Sequence, residues 1–165
     1  MKHILGPKSR SSLTNVQEGD SQPNAVDLRL DKVLTIGDSV FEISNDHKRH
    51  RNNGHELKPD HQGYYILKPG RYEVVMENII NVGDGEAGWV ITRSTLNRNG
   101  LYLTSGLYDS GYNGVMAAVL HVTCGLARIK KGTRIGQYIS FEAEALSKYD
   151  GDYGLAKAHD QKYGE

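Results

Sequence analysis

The stretch Gly106-Leu-Tyr-Asp-Ser-Gly-Tyr-Asn-Gly114 is a glycine-rich turn with a strand pattern on each side. Its three glycines let the backbone approach a ligand closely and expose N–H and C=O groups to a flat heterocycle edge. The carboxylate of Asp109 is suited to deprotonate a water molecule, and the ring of Tyr112 is suited to pack against a sugar. An ordinary hairpin that carries a turn aspartate is the competing interpretation of the same residues.

Short strand patterns surround this turn and indicate the fold class. Val26, Leu28 and Leu30 alternate with charged residues, which is typical of a half-buried strand. A short helix pattern, residues 94–99, ends at Gly100. Further strand-like runs, separated by glycines, lie at residues 101–103, 115–122, 127–129 and 135–142. Short strands without a long amphipathic helix predict an all-β barrel, sandwich or jelly roll.

Residues 64–76 predict a hairpin. Two strand-like runs, 64–67 and 72–76, are joined by Lys68-Pro-Gly-Arg71, and Pro-Gly suits the centre of a type II turn. The preceding residues 47–55 (HKRHRNNGH) are basic and non-periodic, so we expect an exposed loop there. The histidines of this region have no recognisable ligand spacing, which makes a metal site the less favoured interpretation.

Length and charge limit the class of function. The chain has 165 residues, about one domain, and 20 Lys and Arg balance 20 Asp and Glu, so no global field attracts nucleic acid or an anionic membrane. One cysteine, Cys124, cannot form an intramolecular disulfide and fits a reducing compartment. No apolar run reaches transmembrane length. We therefore expect a cytoplasmic protein, in the host cytoplasm if the source is viral.

Changes in composition divide the chain into three parts. Residues 1–24 are polar and predict an N-terminal arm, whereas residues 25–146 carry the strand patterns of a β domain. Residues 147–165 are rich in Gly, Asp, Lys and Tyr and predict a flexible tail that can order over a ligand.

The segment 92–98 is a candidate anion site. It sets Arg93 and Arg98 around the hydroxyls of Ser94 and Thr95, at the start of the helix pattern. Arginine and hydroxyl donors at a helix start suit an anion. An N-cap with solvated charges explains the same residues equally well.

Two more segments carry polar groups beside a turn. Residues 130–137 bring cations close to Gln137, although a hairpin with a charged tip is the commoner meaning of such a run. The tail segment Lys148-Tyr-Asp-Gly-Asp-Tyr-Gly154 could close over phosphates through Lys148 and Tyr149. A disordered tail is the default alternative.

In this order the segments resemble the dUTPase and dCTP deaminase superfamily over roughly residues 25–154. Ala-Val-Asp-Leu-Arg-Leu at 25–30 is similar to the first motif, and residues 92–101 are similar to the second in its deaminase form, Arg-Ser-Ser-Leu-Ala-Arg-x-Gly-Leu. Residues 106–114 resemble the third, Gly-x-Ile-Asp-x-x-Tyr-x-Gly, and residues 132–137 the fourth. The resemblance implies a dUTPase-like distorted jelly roll, a β-clip barrel with one short helix, assembled as a homotrimer with shared sites.

The resemblance also implies a substrate, dUTP or dCTP, that is cleaved to the monophosphate and pyrophosphate. Asp109 would activate the attacking water, and Tyr112 would lie against the deoxyribose. Mg²⁺ would be held through the substrate phosphates and water, without protein ligands. The other implied substrate contacts are Arg93, Ser94, Thr95, Arg98 and Gln137 for the phosphates, the backbone of Gly106, Leu107 and Tyr108 for the base, and Lys148 and Tyr149 in the lid.

Two departures from the family pattern shape the functional hypothesis. The deaminases carry a glutamate ten residues after the third-motif aspartate, and here that position is Val119, which cannot transfer a proton. The tail lacks the fifth dUTPase motif and has Asp152 where the deaminase-like lid has glutamine. We expect a dUTP pyrophosphohydrolase, with dCTP as a candidate second substrate. The alternatives are a dCTP deaminase, alone or bifunctional, and a non-catalytic nucleotide-binding or regulatory protein.

Overall fold

The computed structural model describes residues 1–155, 157–158 and 160 of the chain. Among these residues the chain forms eleven β-strands and one α-helix. The strands are β1 (Ser12–Leu13), β2 (Val26–Thr35), β3 (Glu42–Ile43), β4 (Lys48–Arg49), β5 (Tyr64–Leu67), β6 (Gly70–Asn81), β7 (Glu86–Thr92), β8 (Leu101–Thr104), β9 (Asn113–Val122), β10 (Ala127–Lys130) and β11 (Arg134–Glu142), and the helix is α1 (Ser94–Arg98).

The main sheet is antiparallel and nearly closes on itself. Its strand order is β7-β11-β2-β6-β9-β8, with β1 paired to β6. The two outer strands meet where Tyr108, just beyond β8, exchanges hydrogen bonds of 2.7 and 3.1 Å with the backbone of Gly88 in β7. Closure of this kind leaves few open strand edges. The predicted all-β, barrel-like class is confirmed.

Alternation along the strands builds the core. In β9 every second residue is buried, and Met116 and Leu120 are fully enclosed. Leu28 in β2 and Tyr138 in β11 fill the same core from neighbouring strands. Side chains of a strand alternate between its faces, so one face of β9 lies inside the barrel and the other is half-buried or exposed.

The predicted 64–76 hairpin is wrong. Strand β5 pairs with β10, with Tyr65 opposite Ile129, while β6 pairs with β2 and β9. A Pro-Gly turn specifies a change of direction, but it does not specify which strand edges pair. The twelve residues of β6 gain more hydrogen bonds and burial between two long strands than beside the four residues of β5.

The N-terminal arm lies on the barrel. Ile4 is buried in the core, the N–H of Lys2 donates to the carbonyl of Ser140 at 2.7 Å, and β1 extends the sheet. The first 24 residues therefore pack on the barrel, against β6 and the C-terminal part of β11, instead of extending away from it.

The predicted short helix is confirmed as α1, and Gly100 follows it with a φ of 80°. A positive φ favours glycine, which explains why the helix ends there. In the described part of the chain, the helical segment is neither long nor apolar enough to span a membrane.

Candidate active site

The Asp109 turn, residues 108–112, is held rigidly between β8 and β9. Gly111 has a φ of 85°, which a side chain would disfavour, and its N–H donates to the carbonyl of Val82 at 2.9 Å. The hydroxyl of Ser110 donates to the carbonyl of Glu86 at 2.6 Å. The Asp109 side chain itself is exposed. A solvated carboxylate on a fixed turn is a well-placed acceptor for a proton from water.

Tyr112 is buried beneath the turn. Its hydroxyl donates to the carbonyl of Val115 at 2.8 Å, and its ring lies 5.2 Å from Tyr108 and 5.3 Å from Tyr149 in edge-on contacts. Burial raises the pKa of the Tyr112 phenol well above its usual value, so the group stays neutral. These three tyrosines line a cavity of about 440 Å³.

The tail runs against the same turn. The N–H of Tyr149 donates to the carbonyl of Ser110 at 2.8 Å, and Lys148 lies with Asp109 along a second cavity of about 460 Å³. The Lys148 ammonium is 3.3 Å from Asp84. Lys148 and Tyr149 are therefore brought to the Asp109 turn of their own chain. The predicted tail extends to residue 165, and its residues 156, 159 and 161–165 lie outside the described residues.

Asp152, the unexpected carboxylate of the tail, is ion-paired and hydrogen-bonded to Lys48 of the basic loop, residues 45–62. This hydrogen bond raises the pKa of the Lys48 ammonium. The neighbouring rings of His50 and Tyr153 lie 6.5 Å apart. The basic loop and the tail therefore contact each other, a pairing that sequence analysis did not anticipate.

Glu86 is a fully buried carboxylate behind the Asp109 turn. It accepts hydrogen bonds from the Lys2 ammonium at 2.6 Å, from the N–H of Arg10 at 2.9 Å, and from the Ser11 hydroxyl. Burial alone would raise the pKa of Glu86, but these hydrogen bonds outweigh it and lower the pKa to about 2. The N-terminal arm is thus fastened to the residue whose carbonyl holds Ser110.

A second fully buried carboxylate, Asp27, lies near the other end of β7. Gln137 donates to its Oδ1 at 2.9 Å, while its Oδ2 lies 3.2 Å from Nε of Arg93 and 3.4 Å from Nη1 of Arg134 without hydrogen-bonding geometry. Two half-buried guanidinium groups therefore surround one carboxylate, which leaves an excess of one positive charge. We call Asp27, Arg93, Arg134 and Gln137 the arginine cluster.

The predicted site residues fall into two groups within one chain. Asp109 lies beside Gly88, whereas Arg93 follows the last residue of β7, and α1 with Ser94 and Thr95 comes after it. Five residues of strand separate the two positions, roughly 16 Å at about 3.3 Å per residue. A single chain therefore does not bring the arginine cluster to the carboxylate of Asp109.

Arg98 ends α1 and is exposed, and within the described residues its side chain makes no hydrogen bond or ion pair. The backbone of residues 106–108 fits a base-reading role only in part. The N–H of Tyr108 is committed to Gly88, and the carbonyl of Gly106 accepts from Ser105 at 3.1 Å. Leu107 is exposed.

Comparison with known proteins identifies relatives of this arrangement. Residues 5–143 match the model of the dCTP deaminase-like family. The chain is 34% identical over 140 residues to a probable deoxyuridine 5'-triphosphate nucleotidohydrolase of Methanosarcina barkeri, covering 82% of this chain and 81% of the relative. It is 29% identical to the deoxyuridine 5'-triphosphate nucleotidohydrolase of Methanocaldococcus jannaschii, over 91% of this chain and 97% of the relative.

Solved structures share the fold. A 2'-deoxycytidine 5'-triphosphate deaminase from Agrobacterium tumefaciens superimposes with a TM-score of 0.63 at 16% identity, over 79% of this chain. The chain spans 43% of the length of that deaminase chain. The dUTPase of phage phi11 of S. aureus superimposes with a TM-score of 0.53 at 10% identity, over 88% of this chain and 98% of the phage chain.

Proposed function

The chain belongs to the dCTP deaminase-like family, and from this premise we propose that it is a dUTP pyrophosphohydrolase, which converts dUTP to dUMP and pyrophosphate. The observation that carries the proposal is the similarity, over most of the chain, to proteins named as deoxyuridine triphosphate nucleotidohydrolases. The exposed Asp109 carboxylate on its rigid turn supports it with suitable chemistry.

In this proposal Asp109 acts as the general base. Its carboxylate accepts a proton from a water molecule, and the water oxygen attacks the α-phosphorus. The bond from the α-phosphorus to the oxygen bridging to the β-phosphate breaks, and pyrophosphate leaves. The turn keeps the carboxylate in place because Ser110 and Gly111 are both hydrogen-bonded to the barrel.

The phosphates meet cations and hydroxyls at the far end of β7. Arg93, Arg98 and Gln137 are proposed to bind them, with the hydroxyls of Ser94 and Thr95. The excess positive charge of the arginine cluster supports this role, since a guanidinium group pairs well with phosphate oxygens.

The distance between the two groups supports sites that are shared between the chains of the proposed homotrimer. A second chain can supply the arginine cluster that one chain holds roughly 16 Å from its own Asp109. An apolar surface on β7 and β11 is available for such a contact. The rings of Trp89 and Phe141 lie 4.7 Å apart there in a tilted contact, beside the exposed Ile91.

Mg²⁺ is proposed to enter with the substrate. Among the described residues no group of three or more His, Cys, Asp or Glu side chains could hold a metal ion, but Mg²⁺ keeps several waters and binds largely through phosphates. The exposed Asp109 carboxylate suits its water shell. When bound, the ion neutralises phosphate charge and orients the chain of phosphates.

Tyr112 and the tail are proposed to hold the sugar and close the site. The Tyr112 ring faces the cavity of about 440 Å³, where contact with the ribose 2′ position would exclude a hydroxyl. Lys148 and Tyr149 would close on the bound nucleotide, as their contacts with the Asp109 turn suggest.

Deamination of dCTP is the second candidate, because the family model and one structural neighbour bear that name. Val119, a half-buried residue of β9, argues against it, since a valine cannot transfer the proton that hydrolytic deamination requires. We retain dCTP as a candidate second, weaker substrate for pyrophosphate release. A cytoplasmic location fits a nucleotide hydrolase with one free cysteine, Cys124.

One assay tests these assignments. The purified protein is incubated with Mg²⁺ and each common ribo- and deoxyribonucleoside triphosphate, and pyrophosphate and ammonia are measured together. Pyrophosphate from dUTP without ammonia from dCTP is expected. Ammonia release from dCTP would favour the deaminase. If neither product is released from any nucleotide, the remaining interpretation is a non-catalytic nucleotide-binding protein.

A further inference from the structure

A cavity of about 710 Å³ lies on the outer face of β6, β9 and β8 beside the Asp109 turn. Its volume is within the range of small-molecule sites. It adjoins the Tyr112 cavity, because Gly106, Ala117 and Tyr153 line both. A nucleotide whose sugar lies against Tyr112 would therefore direct its base toward this cavity.

The carboxylate of Glu73 lines this cavity. The strand registers place Leu34, Glu73, Val119 and Thr104 in one row across β2, β6, β9 and β8. Directly opposed side chains in a sheet lie about 5 Å apart, so Glu73 is flanked by the apolar Leu34 and Val119. Its side chain is only 10% exposed. A buried carboxylate between two apolar neighbours costs stability unless it is paired.

One partner of Glu73 comes from the basic loop. Nη2 of Arg51 lies 2.9 Å from Oε2 of Glu73, and Nη1 of Arg51 donates to the carbonyl of Asn52 at 2.8 Å, which orients the guanidinium plane. Arg51 also lines the cavity. Such a buried ion pair contributes little net stability compared with apolar residues, so its position in a cavity indicates a role in binding.

We propose that the Glu73–Arg51 pair reads the N3 and C4 edge of the pyrimidine base. This inference rests on the proposed function. Glu73 accepts a hydrogen bond from the N3–H of uracil, and Arg51 donates to the O4 oxygen beside it. A carboxylate is only an acceptor and a guanidinium group only a donor, so their order is fixed.

Cytosine presents the opposite order at this edge. Its N3 is an acceptor and its C4 amino group is a donor, so Glu73 and Arg51 each meet a group of the wrong kind. The pair therefore selects uracil. The pair also supplies side-chain groups that read the base. The N–H of Tyr108, one of the backbone donors expected for that role, is already bonded to Gly88.

Glu73→Gln tests the selection, because an amide can turn either its oxygen or its nitrogen toward the base. We expect the ratio of kcat/KM for dUTP to that for dCTP to fall by about tenfold in this variant. Glu56→Gln is the matched control, since Glu56 pairs with Lys58 at 3.3 Å in the same loop and its side chain is 40% exposed, against 10% for Glu73. It should keep the ratio within about twofold of the wild type.

Calorimetric binding of the α,β-imido analogues of dUTP and dCTP measures the same ratio without turnover. A ratio unchanged by Glu73→Gln in both assays overturns base reading, as does a wild type that binds the two analogues equally. If Glu73 only anchors the loop, both nucleotides lose affinity in proportion and the ratio stays constant. A wild type that binds dUTP selectively without hydrolysing it would contradict the proposed function alone.

Discussion

Two fully buried carboxylates, Glu86 and Asp27, lie near opposite ends of β7 and are treated differently by their surroundings. Glu86 is satisfied by an ammonium, a hydroxyl and a backbone N–H. Asp27 has two guanidinium groups beside one oxygen that accepts no hydrogen bond from them. A satisfied carboxylate stabilises a fold, whereas cations that are only loosely engaged keep donors available for an anion.

This difference fits a structural role for Glu86 and the proposed phosphate-binding role of the arginine cluster around Asp27. Glu86 fixes the arm and the back of the Asp109 turn, which carries the proposed catalytic carboxylate. Asp27 gathers Arg93, Arg134 and Gln137 without consuming all their charge. Each end is incomplete alone, since one has the proposed base and the other has the proposed phosphate contacts.

The largest effect on activity is expected from a substitution in the Asp109 turn. Asp109→Asn removes the proposed proton acceptor while preserving the shape of the turn, and should lower the rate of pyrophosphate release by about 10³-fold. Thermal unfolding followed by circular dichroism should match the wild type, because the Asp109 side chain is exposed. Asp46→Asn, an exposed aspartate in the basic loop, should retain normal activity. Full turnover by the Asp109 variant would refute its assigned role.

Mixing variants from the two ends tests whether they meet across subunits. Asp109→Asn and Arg98→Ala are each expected to be nearly inactive, since Arg98 is proposed to contact phosphate. In randomly mixed trimers about a quarter of the sites would combine an intact Asp109 with an intact Arg98 from another chain. Activity of the co-purified mixture should therefore rise to about a quarter of wild type. Activity no higher than the mean of the two variants would mean that both residues come from one chain.

Acid should reveal the support role of Glu86. Its pKa is lower in the folded protein, about 2, than the ordinary value of 4.5, so its contribution to the free energy of unfolding is present above about pH 4.5 and is lost as the pH falls toward 2. Glu86→Gln should cost about 3 kcal/mol at neutral pH and lower the melting temperature by roughly 10 °C. The deficit should shrink in acid, as measured by denaturant unfolding from pH 7 to pH 3.

Glu142→Gln is the control, because Glu142 also pairs with Lys2 and Arg10 but is 63% exposed. It should change the melting temperature little. Equal losses in the two variants would mean that burial does not distinguish the two carboxylates.

The smallest effect is expected where the basic loop meets the tail. Lys48→Ala and Asp152→Ala each break an exposed ion pair and should raise the KM for dUTP by about threefold or less. The reversed pair, Lys48→Asp with Asp152→Lys, should recover part of that loss if contact between loop and tail is what matters. Identical KM values in all four proteins would show that the contact does not bear on binding.

Sequence patterns predicted much of the local structure for a clear reason. Alternation in β9 and the helix stop at Gly100 depend on neighbouring residues, so they can be recognised in a linear chain. The same holds for residues 106–114, whose three glycines and aspartate lie within nine residues. Strand pairing depends instead on residues that are far apart in the chain. The predicted 64–76 hairpin was wrong because β5 pairs with β10, in which Ala127 lies opposite Leu67.

Within the candidate site, the chain by itself determined which chemical groups are present: the carboxylate of Asp109, the ring of Tyr112, the arginines of the second motif and the valine at position 119. Only the tertiary structure decided their grouping. It separated Asp109 from Arg93 along β7, set Lys48 against Asp152, and enclosed Glu73 with Arg51 beside Val119. Barrel closure and strand register control these distances, and both depend on contacts between residues that are far apart in the chain.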